Sequence, residues 1–412
     1  MSAALAAERV ARASYGRLVS LLAASTRDIA AAEEALAEAF AAALAAWPAR
    51  GVPDNPEAWL LTTARNFWRN TRRAQNVRSA ALDEIERRTL ARAEGAPLED
   101  NRLALLFVCA HPAIDPTIRT PLMLQTVLGL DAARIGSAFA VSPSAMAQRL
   151  VRAKIKIKEA GIRFELPNAE DLPDRLAAVL EAVYGAFAAG WDAVATEDQG
   201  LEELVDESLY LGRLLVELAP AEPEAKGLLA LMLYCEARRP ARFDREGRFV
   251  PLAEQDARLW NRDMVIEAEA WLGAASREGR FGRFQCEAAI QSVHAIRAVT
   301  GVLNHAALDT LYSLLAAHAP TLGVLVAQAA AKLEAGDAEA ALVILDSTPI
   351  ESRATYQPYW TTRWRCLEVS GRTEDAKASL EKAIGLTEHP AVRAYLMAQR
   401  PKRDDGSART SA

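Results

Sequence analysis

Apolar residues in this chain recur at intervals of three and four almost from end to end, and the Val/Ile/Thr alternation that marks strands is nearly absent. That regularity, reinforced by abundant alanine, confines the chain to an all-α fold. The segment DIAAAEEALAEAFAAALAAW, residues 28–47, is the clearest instance. Leu36, Phe40, Leu44 and Trp47 fall at i, i+4, i+8 and i+11, which predicts a helix ending at Pro48. After the loop RGVPDNP, the run Asn55-Pro56-Glu57 offers a cap residue, a proline at the first helical position and an acid at the positive end of the dipole. The next helix is therefore expected over 57–73.

The chain has 412 residues, enough for two or three domains that bury their cores without covalent staples. Cys109, Cys235, Cys286 and Cys366 are scattered with no paired spacing, so they read as reduced thiols, mostly buried. No run approaches the ~20 apolar residues of a membrane span, and the N-terminus MSAALAAERVAR carries charge in place of a secretory core. The expectation is a soluble cytoplasmic protein with no membrane contact.

Net charge of -6 conceals an asymmetry. Residues 1–163 hold 22 Arg/Lys against 16 Asp/Glu, a net of +6, which leaves -12 for residues 164–412. Opposite signs in the two parts suggest a front that meets a polyanion and a back that does not.

Several breaks divide the chain. Residues 76–100 are charged, mixed in sign and without a firm apolar period, and read as a tether. Residues 101–163 form a small helical unit, closed by ELPNAEDLPD at 165–174. Beyond it, Gly301, Gly336 and Gly371 stand 35 residues apart, and Ala306, Ala341 and Ala376 keep the same interval. This period matches helix-hairpin repeats of the tetratricopeptide kind, with Gly and Ala expected where two helices cross closely. Residues 175–300 are helical without a clean repeat, and the tail from 401 reads as disordered.

Within 119–160 the pattern is helix, turn, helix, turn, helix: RTPLMLQTVL, then LDAARIGSAF capped by Asp131, then a last helix capped by Ser142 and begun by Pro143. On that last helix Met146, Leu150, Ala153 and Ile157 form a core-facing stripe, while Gln148, Arg149, Arg152 and Lys156 fall elsewhere. A solvated basic face is one reading. The coincidence of cap, turn and core stripe favours a major-groove reader, because Gln pairs bidentately with adenine and Arg with guanine while Lys grips phosphate.

A second basic element is AWLLTTARNFWRNTRRAQ, 58–75. Leu60, Ala64, Phe67 and Thr71 share one face, and Arg65, Arg69 and Arg72 share nearly the opposite one. Trp59, Phe67 and Trp68 interleave with the arginines, the composition that binds unstacked single-stranded bases; simple core packing is the alternative, favoured for Phe67. The preceding helix carries Asp28, Glu33, Glu34 and Glu38 and no base up to Leu44, so it should meet a protein and not a phosphate backbone.

An acidic helix DIAAAEEALAEAF, the stretch PEAWLLTTARN followed by RNTRR, a variable tether and a helix-turn-helix ending SAMAQRLVRAKIKIKEAG together resemble a bacterial sigma-70-type factor of the extracytoplasmic-function class, over residues 8–163. LFVCAHPAIDP, MAQRLVRAK, RFVPLAEQDARLW and YQPYW followed by GRTEDA resemble the subgroup with a C-terminal tetratricopeptide-like extension. The resemblance implies region 2 at 8–75, a linker at 76–100, region 4 at 101–163, a helical extension at 174–300, repeats at 301–400 and a tail at 401–412. It implies a promoter-recognition subunit of RNA polymerase, with Asp28, Glu33, Glu34 and Glu38 docking on the clamp helices of the largest subunit.

The loop from Gly51 to Trp59 would hold a flipped base of the melted minus-10 strand, with Trp59, Arg65, Asn66, Arg69, Asn70, Arg72 and Arg73 as the contact set. Duplex minus-35 DNA would meet Ser142, Ser144, Ala147, Gln148, Arg149, Val151, Arg152 and Lys156. Relatives often carry an aliphatic-acid pair where this chain has Arg69-Asn70, which predicts a different minus-10 preference and a stronger single-strand grip. The fused acidic repeats imply internal control by covering the basic helices or by binding a signalling protein or ligand, so removing residues 170–412 is expected to change promoter-dependent transcription.

His111, His294, His305, His318 and His389 show no metal spacing, and Cys109 with His111 reads as a core thiol beside a capping or buried histidine. No phosphate-cradling glycine loop, nucleophile elbow or zinc helix occurs, so no catalytic residue, metal or cofactor is expected. The competing reading is a helix-turn-helix operator regulator with an interaction repeat domain and no polymerase docking.

Overall fold

The computed structural model describes residues 3–75, 101–139, 141–168, 170–193 and 199–400; the expected tether and tail lie outside them. The fold is all-α, and the described residues contain no strand beyond one isolated antiparallel bridge between Phe243 and Phe249. Two compact units divide the described chain, one reaching residue 193 and including 199–211, the other comprising 212–400.

The first unit opens with α1 (Ala3–Thr26), α2 (Ile29–Arg50) and α3 (Pro56–Gln75). Asp28 caps α2 by accepting from the Ala31 N–H at 3.2 Å, and Asn55 caps α3 by accepting from Ala58 at 3.0 Å, so both helices start where their cap residues stand. Two details of α2 differ from expectation. The helix continues past Pro48 to Arg50 and closes when the Gly51 N–H donates to the Trp47 carbonyl. Pro48 and Leu44 both face solvent, so the proline ring and its missing N–H fall on the outer side of the last turn and leave the packed side intact. Leu44 is consequently not part of the buried stripe, which is Ile29, Ala32, Ala35, Leu36, Ala39, Ala43 and Trp47. Small residues dominate that stripe, and they let α1 and α3 approach closely.

Four further helices follow: α4 (Arg102–Cys109), α5 (Pro116–Leu128), α6 (Ala132–Ala138) and α7 (Pro143–Glu159). α4 is buried along nearly its whole length, from Leu103 to Cys109. Asp131 accepts from Ala133 and Arg134 to cap α6, and Ser142 accepts from Ala145 to cap α7. α8 (Leu172–Ala193) belongs to the same unit: the Thr120 hydroxyl on α5 donates to the Ala182 carbonyl at 3.0 Å, and the Arg175 guanidinium donates to the Phe107 carbonyl. α9 (Gln199–Leu218) follows, and Arg102 donates to the hydroxyl of its Tyr210 at 2.8 Å.

In the second unit, α10 (Pro223–Ala237) is buried on all sides, from Leu228 through Tyr234, between α11 (Arg262–Ser276) and α12 (Arg283–Thr300). The Glu224 carboxylate accepts from the backbone N–H groups of Phe284 and Gln285, fixing the start of α12. Residues 238–261, between α10 and α11, form turns and three short 3-10 segments. α13 (His305–His318), α14 (Leu322–Glu334), α15 (Ala338–Asp346), α16 (Ile350–Arg353), α17 (Gln357–Val369), α18 (Thr373–Leu386) and α19 (Pro390–Ala398) complete it. Val326, Leu345, Tyr359, Trp364, Leu380 and Ile384 share one core there.

The 35-residue spacing has a different physical basis from the one expected. Gly301, Gly336 and Gly371 have φ of 71°, 88° and 72°, and a Cβ on any of them would meet nothing within 4 Å. They end helices in the left-handed region and do not sit at close crossings. Of the alanines on the same interval, Ala341 and Ala376 are buried while Ala306 is exposed.

Candidate nucleic-acid and docking surfaces

On α7 the sequence places a methionine-led stripe and a polar track on different sides, and the structure keeps them apart. Met146, Leu150, Ala153 and Ile157 are buried. Ser142, Ser144, Gln148, Arg149, Val151, Arg152 and Lys156 are exposed, and Ala147 is half-buried between them. Arg149, Arg152 and Lys156 thus form a charged track clear of the unit's core, on a helix whose N-terminus is capped by Ser142. Val151 is 54% exposed, an apolar surface of the kind that contacts thymine methyls.

The minus-10 candidates on α3 are less cleanly separated. Leu60, Leu61 and Ala64 are buried, Phe67 and Thr71 half-buried. Asn66, Asn70, Arg72 and Arg73 are exposed, whereas Arg65 and Arg69 are half-buried. Arg65 has a buried Nε with no hydrogen-bond partner, and burial followed by the nearby Arg69 charge lowers its guanidinium pKa. The Arg72 guanidinium lies 5.2 Å from the centre of the Trp68 ring, a cation–π contact that holds both groups at the surface. Trp59, at the loop end, is braced edge-on by Trp47 with ring centres 5.6 Å apart, so it is tied to α2 as well as to the loop. Glu57 ties α1 to α3: Ser14 donates to it, and Arg17 lies 3.5 Å away.

Of the acidic residues on α2, Glu34 and Glu38 are exposed, while Asp28 and Glu33 are partly covered. Their partners come from α7. Lys154 is buried and donates to Glu33, and Lys158 stands 2.7 Å from Asp28. Burial raises the Glu33 carboxyl pKa, against the opposing pull of Lys154. Sequence reasoning put the lysines of α7 nearer phosphate, whereas Lys154 and Lys158 pair with carboxylates at the start of α2. The signal was present for Lys154, which lies four residues after Leu150 at the edge of the buried stripe.

Two cavities flank this contact. One, of about 710 Å³, is lined by Arg27, Asp28 and Glu34, by Phe67, Trp68 and Arg72, and by Lys158 and Arg163. The other, of about 580 Å³, is lined by Tyr15, Glu33, Gln125, Val151, Lys154 and Ile155. The first therefore joins the aromatic end of α3 to the basic end of α7.

All four cysteines are free thiols; Cys109 shares a hydrogen bond with Thr126, and burial pushes its pKa up to about 12. His111 accepts from the Ala113 N–H through Nδ1, a turn-capping role. Among the described residues no three His, Cys, Asp or Glu side chains group as metal ligands, and no helix is long and apolar enough to cross a membrane.

Comparison with known proteins bears on both units. Residues 10–78 match the sigma-70 region 2 family, and residues 175–276 match a family of unknown function, DUF6596. An uncharacterized protein of Rhizobium meliloti (strain 1021) is 38% identical over 382 residues, which span 90% of each chain. No solved structure matches.

Proposed function

The chain belongs to the sigma-70 family of transcription initiation factors, and we propose that it is a member of the extracytoplasmic-function class, with a tetratricopeptide-like C-terminal extension that regulates it. In this reading region 2, within 8–75, docks on the clamp helices of the core polymerase through Asp28, Glu33, Glu34 and Glu38. Its α3 grips the melted minus-10 strand through Trp59, Arg65, Asn66, Arg69, Asn70, Arg72 and Arg73. Region 4, within 101–163, presents the start of α7 to the minus-35 duplex through Ser142, Ser144, Ala147, Gln148, Arg149, Val151, Arg152 and Lys156. The protein works in the cytoplasm without metal or cofactor, and bond-making belongs to the polymerase.

One observation carries the reading: the exposed Gln148–Arg149–Arg152–Lys156 track lies over a buried Met146–Leu150–Ala153–Ile157 seam, in the same unit as the region 2 match. A groove reader needs that combination, because the buried seam fixes the helix while the track reaches base edges and phosphates. The mechanism follows from the division of charge. Phosphate contacts from Arg149, Arg152 and Lys156 set the register on duplex DNA. Arginines and rings on α3 return the cost of unstacking, a few kcal/mol per base, once the strand opens.

Run-off transcription with the full chain and purified core polymerase tests this: promoter-specific transcripts are expected only when both are present. A second reading, an operator-binding regulator independent of polymerase, draws on the exposure of the α7 track in the free chain. It predicts tight, specific duplex binding without core and no transcripts with it.

A further inference from the structure

The smaller of the two cavities in the first unit is bounded by α1, α2, α5 and α7, and close packing fixes its shape. Gly16 on α1 lies so near α5 that a Cβ there would stand 2.1 Å from the Val127 carbonyl oxygen. The Tyr15 ring rests against Gly129, whose φ of 74° ends α5, and a Cβ on Gly129 would stand 2.9 Å from that ring. Lys154 on α7 is buried against Glu33 on α2. The space they leave, about 580 Å³, is of the size that holds small molecules.

Its walls combine acceptors, negative charge and aliphatic surface. Glu33 Oε1 on α2 and Gln125 Oε1 on α5 are buried and have no hydrogen-bond partner among the described residues. Lys154 takes up only the other carboxylate oxygen of Glu33. A buried acceptor without a donor is costly, and folded proteins keep few of them. Asp28, Glu33, Glu34 and Asp131 line the space against Lys154 and Lys158, four acids to two bases. Lys158 pairs with Asp28 at 2.7 Å. Burial, and then the Glu33 charge, raises the Tyr15 hydroxyl pKa, so that hydroxyl keeps its proton beside the carboxylate. Val151 and Ile155, 54% and 47% exposed, supply an apolar side.

We propose that this cavity binds a small organic cation, a guanidinium or polyamine with an alkyl body. Such a head group carries donors and no acceptor, which is what two unpartnered acceptors require, and its charge answers the excess of carboxylates. The head reaches Glu33 and Gln125 while the alkyl body lies along Val151 and Ile155. An anion would face four carboxylates, and a neutral alcohol would bring an acceptor where donors are needed. Because four helices contribute, the ligand is recognised by the assembled unit and by no single helix. The site does not rest on the transcription reading, although Glu33 and Val151 belong to both.

The test titrates the full chain with agmatine and with spermidine, and with succinate as the anionic control, at about 0.15 M salt to screen loose surface attraction. Binding is read as heat and as a rise in the unfolding midpoint with probe concentration. Saturable binding of at least one cation is expected, and none of succinate. Gln125→Leu replaces an unpartnered acceptor with an apolar chain of similar size; it should weaken cation binding about tenfold and leave the urea unfolding midpoint unchanged or raised. Ile155→Lys tethers an ammonium at the half-exposed edge of the cavity and should abolish binding of the added cation.

If Gln125→Leu fails to fold, Ile155→Lys carries the comparison. No saturable binding of either cation would overturn the proposal, as would succinate binding of equal strength. Cation binding that is unchanged in the folded variants would lie elsewhere on the acidic surface, and this site would fall.

Discussion

Two basic helices in the first unit carry similar charge and dispose it differently. α7 is cleanly divided: its arginines project into solvent, and the lysine that leaves the track, Lys154, is taken up by Glu33. α3 is blended, with Arg65 and Arg69 half-buried, Arg65 partly desolvated, and Arg72 laid over Trp68. A rigid duplex groove is read by side chains that reach out from a fixed helix. A flexible strand is held by rings and guanidinium planes that form a surface together. The difference predicts that α7 acts through charge and hydrogen bonds, and α3 through stacking as much as charge.

The largest expected effect breaks the α7 side. Arg149→Glu combined with Arg152→Glu should lower initiation from a duplex promoter by a hundredfold or more, since each lost contact is worth about 1–3 kcal/mol and the reversed charge repels phosphate. Binding to a single-stranded minus-10 oligonucleotide in the polymerase complex should stay within about threefold. Equal losses on both templates would erase the division between the helices.

Trp68→Ala is the reciprocal test. Stacking on an aromatic side chain is worth about 1–3 kcal/mol per base, so a loss of roughly tenfold is expected on the single-stranded oligonucleotide. Duplex minus-35 binding should be unchanged. Loss of duplex binding by this variant would place Trp68 in the folding core and not in the strand grip.

Much of this contrast is legible in the sequence, and the rest has physical reasons for being hidden. The caps at Asp28, Asn55, Asp131 and Ser142 work through bonds to residues two or three positions on, so they can be read locally. The Met146–Ile157 seam follows from period alone. What α8 packs against is not written in its own pattern, because amphipathicity gives a buried face without naming the neighbour; here the neighbours are Phe107 and Thr120. Lys154–Glu33 joins residues 121 apart, and Gly16 is conspicuous only once Val127 lies against it. Leu44 misled because alanines define the buried side of α2, and the evenly spaced glycines mark left-handed helix ends.

A smaller effect separates the two helices by stability. Arg65→Met replaces a half-buried guanidinium, one nitrogen of which lacks a partner, with an apolar chain of similar length. Unfolding free energy by chemical denaturation should change by no more than about 1 kcal/mol, in either direction, since such replacements are often neutral or stabilising. Arg72→Met, at the surface, should likewise leave stability within about 0.5 kcal/mol. Both should weaken the single-strand grip. A large destabilisation by Arg65→Met would instead show that its guanidinium is a structural tie.

The smallest effect concerns pH and the α2–α7 seam. Burial raises the Glu33 carboxyl pKa by more than Lys154 lowers it, with Asp28 adding to the rise, so the folded seam binds a proton more firmly than the unfolded chain, in which Glu33 is solvated. The stability this adds to the fold is fully present below the ordinary carboxylate range and is lost as pH rises through the higher value of the folded state. Acidification from neutrality should therefore make the parent modestly more stable relative to Glu33→Gln, read as the difference in unfolding free energy by chemical denaturation. A relative loss of stability on acidification would mean that Lys154 outweighs desolvation at this contact. The lysine on α7 would then be an electrostatic clamp in its own right, and the contrast with α3 would extend to the buried edge of the helix.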